Sequence, residues 1–339
     1  GNNQPWKLLS RNGVLYLFHD KEKSWSWTDM EGFIAQISLG AALENILVQA
    51  AALGYEAHYT LFPAGTDSPL TASVAFSATT TEQELAPLAS YIGTRCTNRK
   101  RGNNVVLDNN LLSQMSAVAT AIKGAELTFL TDKDDIHLFA DIESAAERIR
   151  SLHPQSHYEF FTKEMKWNPS GNEIIHEGLD IKTLELSVSD EMGMKIVSDP
   201  AVIALLNQWG GGKVLEKLIR LAIRSSSAVG LITVPAYHPN HIVEGGRAAE
   251  RVWLHATANQ LSLQPISAPL FLHTKAKYGN VTEENPAMIA EINSLFAGLT
   301  KLFPVLKERH GLFLFRLFRG EAPTARSLRK PLSELYVSC

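Results

Sequence analysis

The stretch GFIAQISLGAALENILVQAAALG (32–54) is apolar on nearly every face and constrains the fold more than any other part of the chain. Ile34, Ile37, Leu43, Ile46, Leu47, Ala50 and Leu53 leave it no polar side to turn to water. The TDME sequence at 28–31 has capping-box spacing, with Thr28 as N-cap and Glu31 three residues on, and Gly54 ends the run. Such a helix spans about 30 Å, at about 1.5 Å per residue. It belongs at the centre of a molecule whose other elements pack around it.

A second stretch echoes the first. When LGAALENILVQAAALGYEAHYTLFP (39–63) is set over GGRAAERVWLHATANQLSLQPISAP (245–269) without a gap, Gly40 falls on Gly246, Ala42 on Ala248 and Glu44 on Glu250. Ala50 falls on Ala256, Ala52 on Ala258 and Pro63 on Pro269. Two accounts stand: common Ala-rich helix composition, or an internal duplication, which the coincident Gly, Glu and Pro favour.

Along the rest of the chain, apolar runs predict strands at 14–20, 55–62, 72–78, 127–132, 229–234 and 311–318. Helical patterns fall at 82–93, 107–123, 139–151, 199–209, 213–225, 244–261 and 283–302. Segment 153–200 is polar, broken by Pro and Gly, and weakly periodic. The expectation is an α+β chain of two halves, 1–90 and 91–339, forming one unit. The second half carries the inserted segment 153–200 and a basic tail.

Composition narrows the function classes. A net charge of −3 lacks the basic footprint of a nucleic-acid or acidic-membrane binder. No apolar run reaches the roughly 18 uninterrupted residues of a membrane helix. Cys96 and Cys339 are too far apart to read as a disulfide framework or a metal-ligand pair, which suits a reducing cytoplasm. The histidines show no HExxH or comparable metal signature.

Three clusters carry usable chemistry: NNQPW (2–6), RCTNR (95–99) and RSLRKPL (326–332). Arg95, Arg99, Arg326, Arg329 and Lys330, with the Thr97 hydroxyl, suit a phosphate monoester through charge-assisted, often bidentate hydrogen bonds. From residue types alone they are equally a pair of solvated basic loops. In this order, however, the clusters resemble the flavin-dependent nitroreductase family, and within it the Acg-like branch. NNQPW resembles that branch's Asn-x-Gln-Pro-Trp loop, and RCTNR its Arg-x-Ser/Thr-x-Arg phosphate motif. GGRAAERVWLHATANQLSLQPIS (245–267) resembles its central helix and flavin-contacting loop, and LFRGEAPTARSLRKPL (317–332) its basic C-terminal signature.

The resemblance implies a nitroreductase-like fold in which a classical homodimer is fused into one chain, a pseudo-dimer. It implies one FMN, since SSSAVG (225–230) stands where a second Asn-x-Gln-Pro-Trp loop is expected. It places Arg95 and Thr97 on the phosphate and ribityl chain, Arg99 near flavin N1 and O2, and Arg329 closing from the tail, with Arg326 and Lys330 as further candidates. Asn2, within the Asn2–Asn3–Gln4 cluster, would meet the ring edge, and the backbone of Pro265, Ile266 and Ser267 would approach N5 or O4. No residue of the chain is then a covalent catalyst, because the redox chemistry is the flavin's. The implied activity is NAD(P)H-dependent reduction of nitro, quinone or related small acceptors. Alternatives are flavin storage with little turnover, with 153–200 as a covering lid, or a redox domain after an upstream, ThiF-like adenylating domain. A Pro-Ser pair and a helix are expected before Gly1, and dimer contacts are not required. Trp6, Phe33 and Trp253 read as core, Cys96 as packing, and His153, His157 and His176 as surface residues.

Overall fold

Helix formation in the apolar stretch starts later than the capping box suggests. The computed structural model describes residues 2–81, 83–168, 173–209, 211–280, 282 and 284–337, so Gly1 and Cys339 lie outside the described residues. After strands β1 (Trp6–Arg11) and β2 (Val14–His19), helix α1 runs Phe33–Ala52. Glu31 and Gly32 are left-handed, at φ 52° and 77°, so Thr28 cannot cap a helix through them. Thr28 shares a hydrogen bond with Ser26, and the Asp29 carboxylate accepts the Ile34 N–H at 2.6 Å instead. Strands β3 (Tyr55–Leu61) and β4 (Leu70–Ala78) follow.

The expected helix at 82–93 shrinks to a 3-10 turn through Pro87 and the short α2 (Ala89–Ile92). Next come α3 (Asn109–Thr120), β5 (Glu126–Leu130) and α4 (Lys133–Leu152). Helix α4 starts well before the expected 139, because Asp132 caps it by accepting the N–H groups of Asp134 and Asp135. Segment 153–200 is more structured than its pattern suggests. It holds α5 (Pro154–Glu159), a π turn at Phe160–Glu164, the two-residue parallel strands β6 (Met165–Lys166) and β7 (Leu179–Asp180), and α6 (Val188–Val197). Helices α7 (Pro200–Gln208) and α8 (Lys217–Arg224) lead into β8 (Ala228–Val234). Then follow α9 (Pro239–Ala258), β9 (Ser262–Pro265), α10 (Ala268–Tyr278), α11 (Pro286–Leu302), β10 (His310–Phe318) and α12 (Leu332–Leu335). β1, β9 and α10 have no counterpart in the sequence-based expectation.

The two four-stranded sheets repeat one topology. The first is ordered β1-β2-β4-β3 and the second β5-β8-β10-β9, and both are antiparallel throughout. In each, the central helix sits between the second and third strands in chain order. The halves meet where α1 packs on α9. A Cβ on Gly40 would strike the Val243 carbonyl oxygen, and one on Gly246 would strike the Ile37 carbonyl oxygen. These contacts are reciprocal once the alignment of 39–63 with 245–269 is extended two residues upstream, where Ile37 falls on Val243, as a pseudo-twofold axis between the helices requires. Met30–Ala52 is long and apolar enough by composition to cross a membrane, which corrects the run-length reading, and over half of its most apolar window is buried inside the molecule.

Candidate functional site

The RCTNR loop is stitched to the edge of β9. Thr97 bridges Leu263, the Asn98 N–H donates to the Leu263 carbonyl at 3.1 Å, and the Asn98 amide donates to Ser262 Oγ and the Glu321 carbonyl, both at 2.8 Å. Behind the loop lies Arg316, fully buried on β10. Its guanidinium donates to the carbonyls of Lys100 at 2.6 Å and Ala222 at 2.8 Å, and to Gln264 Oε1 at 2.7 Å. Burial, reinforced by Arg99, pushes this guanidinium down to about 9. Sequence reasoning missed Arg316; its signal was a single cation inside the apolar run GLFLFRLF.

Three expected arginines share one cavity: Arg95, Arg99 and Arg329. Arg95 Nε lies 2.8 Å from the buried Glu250 carboxylate, and its guanidinium stacks over Trp253 at 4.4 Å. Arg99 donates to the Thr183 carbonyl at 3.0 Å, and burial lowers it to about 10, opposed in part by Glu185. Arg329, exposed at the cavity rim, donates to Asn2 Oδ1 at 3.0 Å. Arg326 is exposed and does not line the cavity, while Lys330 pairs with Glu177 at 2.6 Å. Of the basic tail's three candidates, only Arg329 reaches the cavity.

The NNQPW residues also line the cavity, but their amides are engaged with protein. The Asn2 amide donates to the Leu328 carbonyl at 2.7 Å, and the Asn3 amide to the Lys23 carbonyl at 3.2 Å. Buried Gln4, at φ 50°, donates to the His176 carbonyl at 2.7 Å and accepts the Lys330 N–H at 2.8 Å. This cluster clasps the inserted segment and the tail together. Pro265, Ile266 and Ser267 form another wall. The Ile266 N–H donates to the Leu314 carbonyl at 2.8 Å, and the Ser267 hydroxyl bonds both backbone groups of Leu314.

The cavity measures about 2110 Å³, beyond the roughly 300–1,000 Å³ of a pocket for one drug-sized molecule. Helices α1 and α9 supply Ile34, Ser38 and Ala249, and the inserted segment supplies His157, Phe160 and Met194. The segment therefore walls the cavity. Two of its histidines are drawn inward, against the surface expectation: His157 is buried against the Val197 carbonyl at 2.8 Å, and half-buried His153 stacks on Trp27 at 3.8 Å. His176 bonds the Arg329 carbonyl at 2.7 Å. Phe33 and Trp253 are core, Trp6 is half-buried, and Cys96 is half-buried on the cavity wall. No cluster of metal-ligating side chains occurs among the described residues.

No family model matches the chain. It is 29% identical over 330 residues to "Uncharacterized protein MT1398" of Mycobacterium tuberculosis (strain CDC 1551 / Oshkosh), covering 97% of this chain and 45% of that protein. It is 36% identical over 76 residues to the "Putative NAD(P)H nitroreductase acg" of the same strain, covering 22% of this chain and 23% of that protein. The chain thus spans less than half the length of the first relative. Among solved structures it is similar to the FMN-dependent nitroreductase NfnB from Mycobacterium smegmatis in complex with NADPH, at 12% identity and a TM-score of 0.38, over 74% of this chain and 97% of that one. It is also similar to the FMN and NADPH-dependent nitroreductase NfnB from Sphigopyxis sp. strain HMH, at 12% identity and a TM-score of 0.41, over 73% and 96%.

Proposed function

We propose that the chain is a nitroreductase-like flavoprotein of the Acg-like branch, holding one FMN and reducing small nitro, quinone or related acceptors with electrons from NAD(P)H. The observation that carries this reading is the cluster of guanidinium groups around the RCTNR loop at one end of the cavity. Arg95, Arg99 and Arg329 face the cavity with Arg316 behind them, while the carboxylates acting on them are Glu250 and Glu185. Arg95 is paired with Glu250, whereas Arg99 and Arg329 donate to the neutral Thr183 carbonyl and Asn2 Oδ1. Such a cluster suits a phosphate, which accepts several charge-assisted hydrogen bonds at once.

In this reading the RCTNR loop takes the FMN phosphate, with Thr97 adding a hydroxyl and Arg329 closing over it. Arg316 fixes the loop through the Lys100 carbonyl, so the cations are held in place before a ligand arrives. The flavin, when bound, supplies hydride transfer between donor and acceptor. Arg99 would then offer fixed positive charge to a flavin that gains negative charge on reduction. One FMN per chain is supported by the mirrored position. There Glu44 accepts from Arg247 at 2.9 Å and Arg251 at 2.5 Å, and Arg247 also meets Glu244 at 2.7 Å, so those charges neutralise one another.

The test is anaerobic rapid mixing of the FMN-loaded protein with NADPH and with NADH. Fast bleaching of the flavin supports the reductase; a protein that takes up no FMN, or two equivalents, removes the reading. A second reading, flavin sequestration with little turnover, is favoured by the inserted segment on the cavity wall. Its mark is a flavin reduced by dithionite but scarcely by nicotinamide.

A further inference from the structure

Glu143 sits on α4 with 1% of its surface exposed, and it lines the same cavity as Ile266, Ser267 and Ala268. Its carboxyl group accepts the Ala268 N–H at the start of α10, while Oε2 has no hydrogen-bond partner. A buried carboxyl oxygen left unpaired is costly and calls for an explanation.

Burial and the balance of neighbouring charges favour the protonated form of this acid. Glu147 and Arg150, on its own helix, are the groups that act on it, and Arg150 is itself held by Glu147 at 2.7 Å and acted on by Glu164. On α10, Lys275 lies 3.8 Å from Glu284 and His273 stacks on Phe296 at 3.4 Å. Arg220 and Arg224 of α8 meet Asp141, and Glu216 and Glu291 meet Arg148. On α5, Glu159 accepts the Trp27 N–H and His157 bonds the Val197 carbonyl. Burial first, and then Glu147, raise the Glu143 carboxyl well above the usual carboxylate range, while the Ala268 N–H and Arg150 oppose this only in part. The shift favours the protonated form, and the unpaired Oε2 is the atom that can present an O–H at the cavity wall.

We propose that Glu143 is the proton donor to the oxygen of an electron acceptor, of the quinone or nitro class, bound at the Ile266–Ala268 end of the cavity. This rests on the flavoprotein reading above. Reducing a quinone to a hydroquinone takes up an electron pair and two protons. The electron pair and one hydrogen come as hydride, from the nicotinamide donor by way of the flavin. The Glu143 O–H bond breaks as a new O–H bond forms on the acceptor. The resulting carboxylate is stabilised by the Ala268 N–H and Arg150, and water returns the proton. A nitro acceptor reduced to the nitroso level takes up one hydride and one proton and releases one oxygen as water, so it too draws on the Glu143 proton once.

The experiment compares the parent with Glu143→Gln, which keeps the side chain's volume without its acidic proton. Both are loaded with FMN and reduced by NADPH, then mixed anaerobically with benzoquinone between pH 6 and 9; the infrared spectrum of each is recorded at pH 7. The expected result is a neutral carboxylic-acid band in the parent that Glu143→Gln lacks, with equal FMN affinity and equal flavin reduction. Reoxidation should fall about 100-fold or more, as for loss of a general acid. The parent's reoxidation should decline with rising pH while the variant's stays flat, and Glu143→Asp should fall between them. Absence of the acid band, or reoxidation of the variant within about threefold of the parent, overturns the proposal. A protein that binds FMN and accepts hydride but shows no Glu143 effect fails this proposal alone; one that binds no FMN fails the flavoprotein reading beneath it.

Discussion

Arg95 meets Glu250 and Trp253 before it meets any ligand, and this division of labour among the arginines was hidden in their spacing. The sequence supplied the RCTNR cations as a group, but it did not reveal that Arg95 is pre-oriented by a buried carboxylate while Arg99 donates to a backbone carbonyl. Arg316 was illegible because its partners, Lys100, Ala222 and Gln264, come together only through the fold. Arg99→Ala should weaken FMN binding by about 1.5–3 kcal/mol, or roughly 10–150-fold. Arg326→Ala, at an exposed residue, should leave the affinity unchanged in the same fluorescence titration; equal losses in both variants count against the assignment. Asp29 offers a second test at this scale. Burial raises its carboxyl to about 6 from 3.8, against the pull of the Ile34 and Ala35 N–H groups. Between those values the folded chain binds more protons than the unfolded one, so this group's contribution makes stability fall as pH rises through the window. Asp29→Asn keeps the acceptor and loses the charge. It should match the parent below about pH 4 and exceed it by about 1–3 kcal/mol above pH 6 in urea unfolding. His273 and His310, each lowered to about 4 chiefly by burial, slope the opposite way, but they are common to both proteins and cancel in the difference. A difference that is constant with pH defeats the argument.

At the scale of elements, the glycines that first suggested duplication are the point of closest approach between α1 and α9. Neither position has room for a methyl group, since backbone rather than flexible side chain stands in the way. Gly40→Ala and Gly246→Ala should each cost about 1–3 kcal/mol or more through overpacking, seen as a drop of several degrees in thermal unfolding. Gly193→Ala on α6, with open space around it, should be neutral or slightly stabilising, because alanine is the better helix former. If all three behave alike, the crossing is not where the halves are fastened. Long apolar elements were legible: α1, β8 and β10 declare themselves by runs that only a core can hold. Boundaries were not, where local chemistry overrides pattern. The left-handed Glu31 delays α1, Pro87 breaks the helix expected at 82–93, and Asp132 starts α4 early. Short β9 carries no periodicity of its own and exists because β10 offers it an edge.

For the whole molecule, the repeated strand order makes the chain a pair of like halves, and the inserted segment makes those halves unequal. Its fold was illegible because polar residues such as Glu177 and His176 serve as clasps to distant parts of the chain, which no local period records. Glu177 pairs with Lys23 at 2.9 Å and Lys330 at 2.6 Å, and the Gly178 N–H reaches the Asn2 carbonyl at 3.3 Å. The N-terminal cluster and the tail thus hold the segment over the cavity from two sides. For hydride transfer a nicotinamide must bring its reacting atom within about 3–3.5 Å of its target, so a clasped wall slows its entry. Under the sequestration reading, bound FMN is reduced by NADPH more slowly than about 1 per second, the lower end of ordinary turnover. Glu177→Gln loosens the clasp without touching the arginines, and it should accelerate anaerobic reduction while leaving FMN affinity unchanged. Reduction of the intact protein at roughly 1–10³ per second would show that the wall admits the donor freely. The same segment would then act in choosing the acceptor, and Glu177→Gln would alter the rates with different quinones without altering the rate with NADPH.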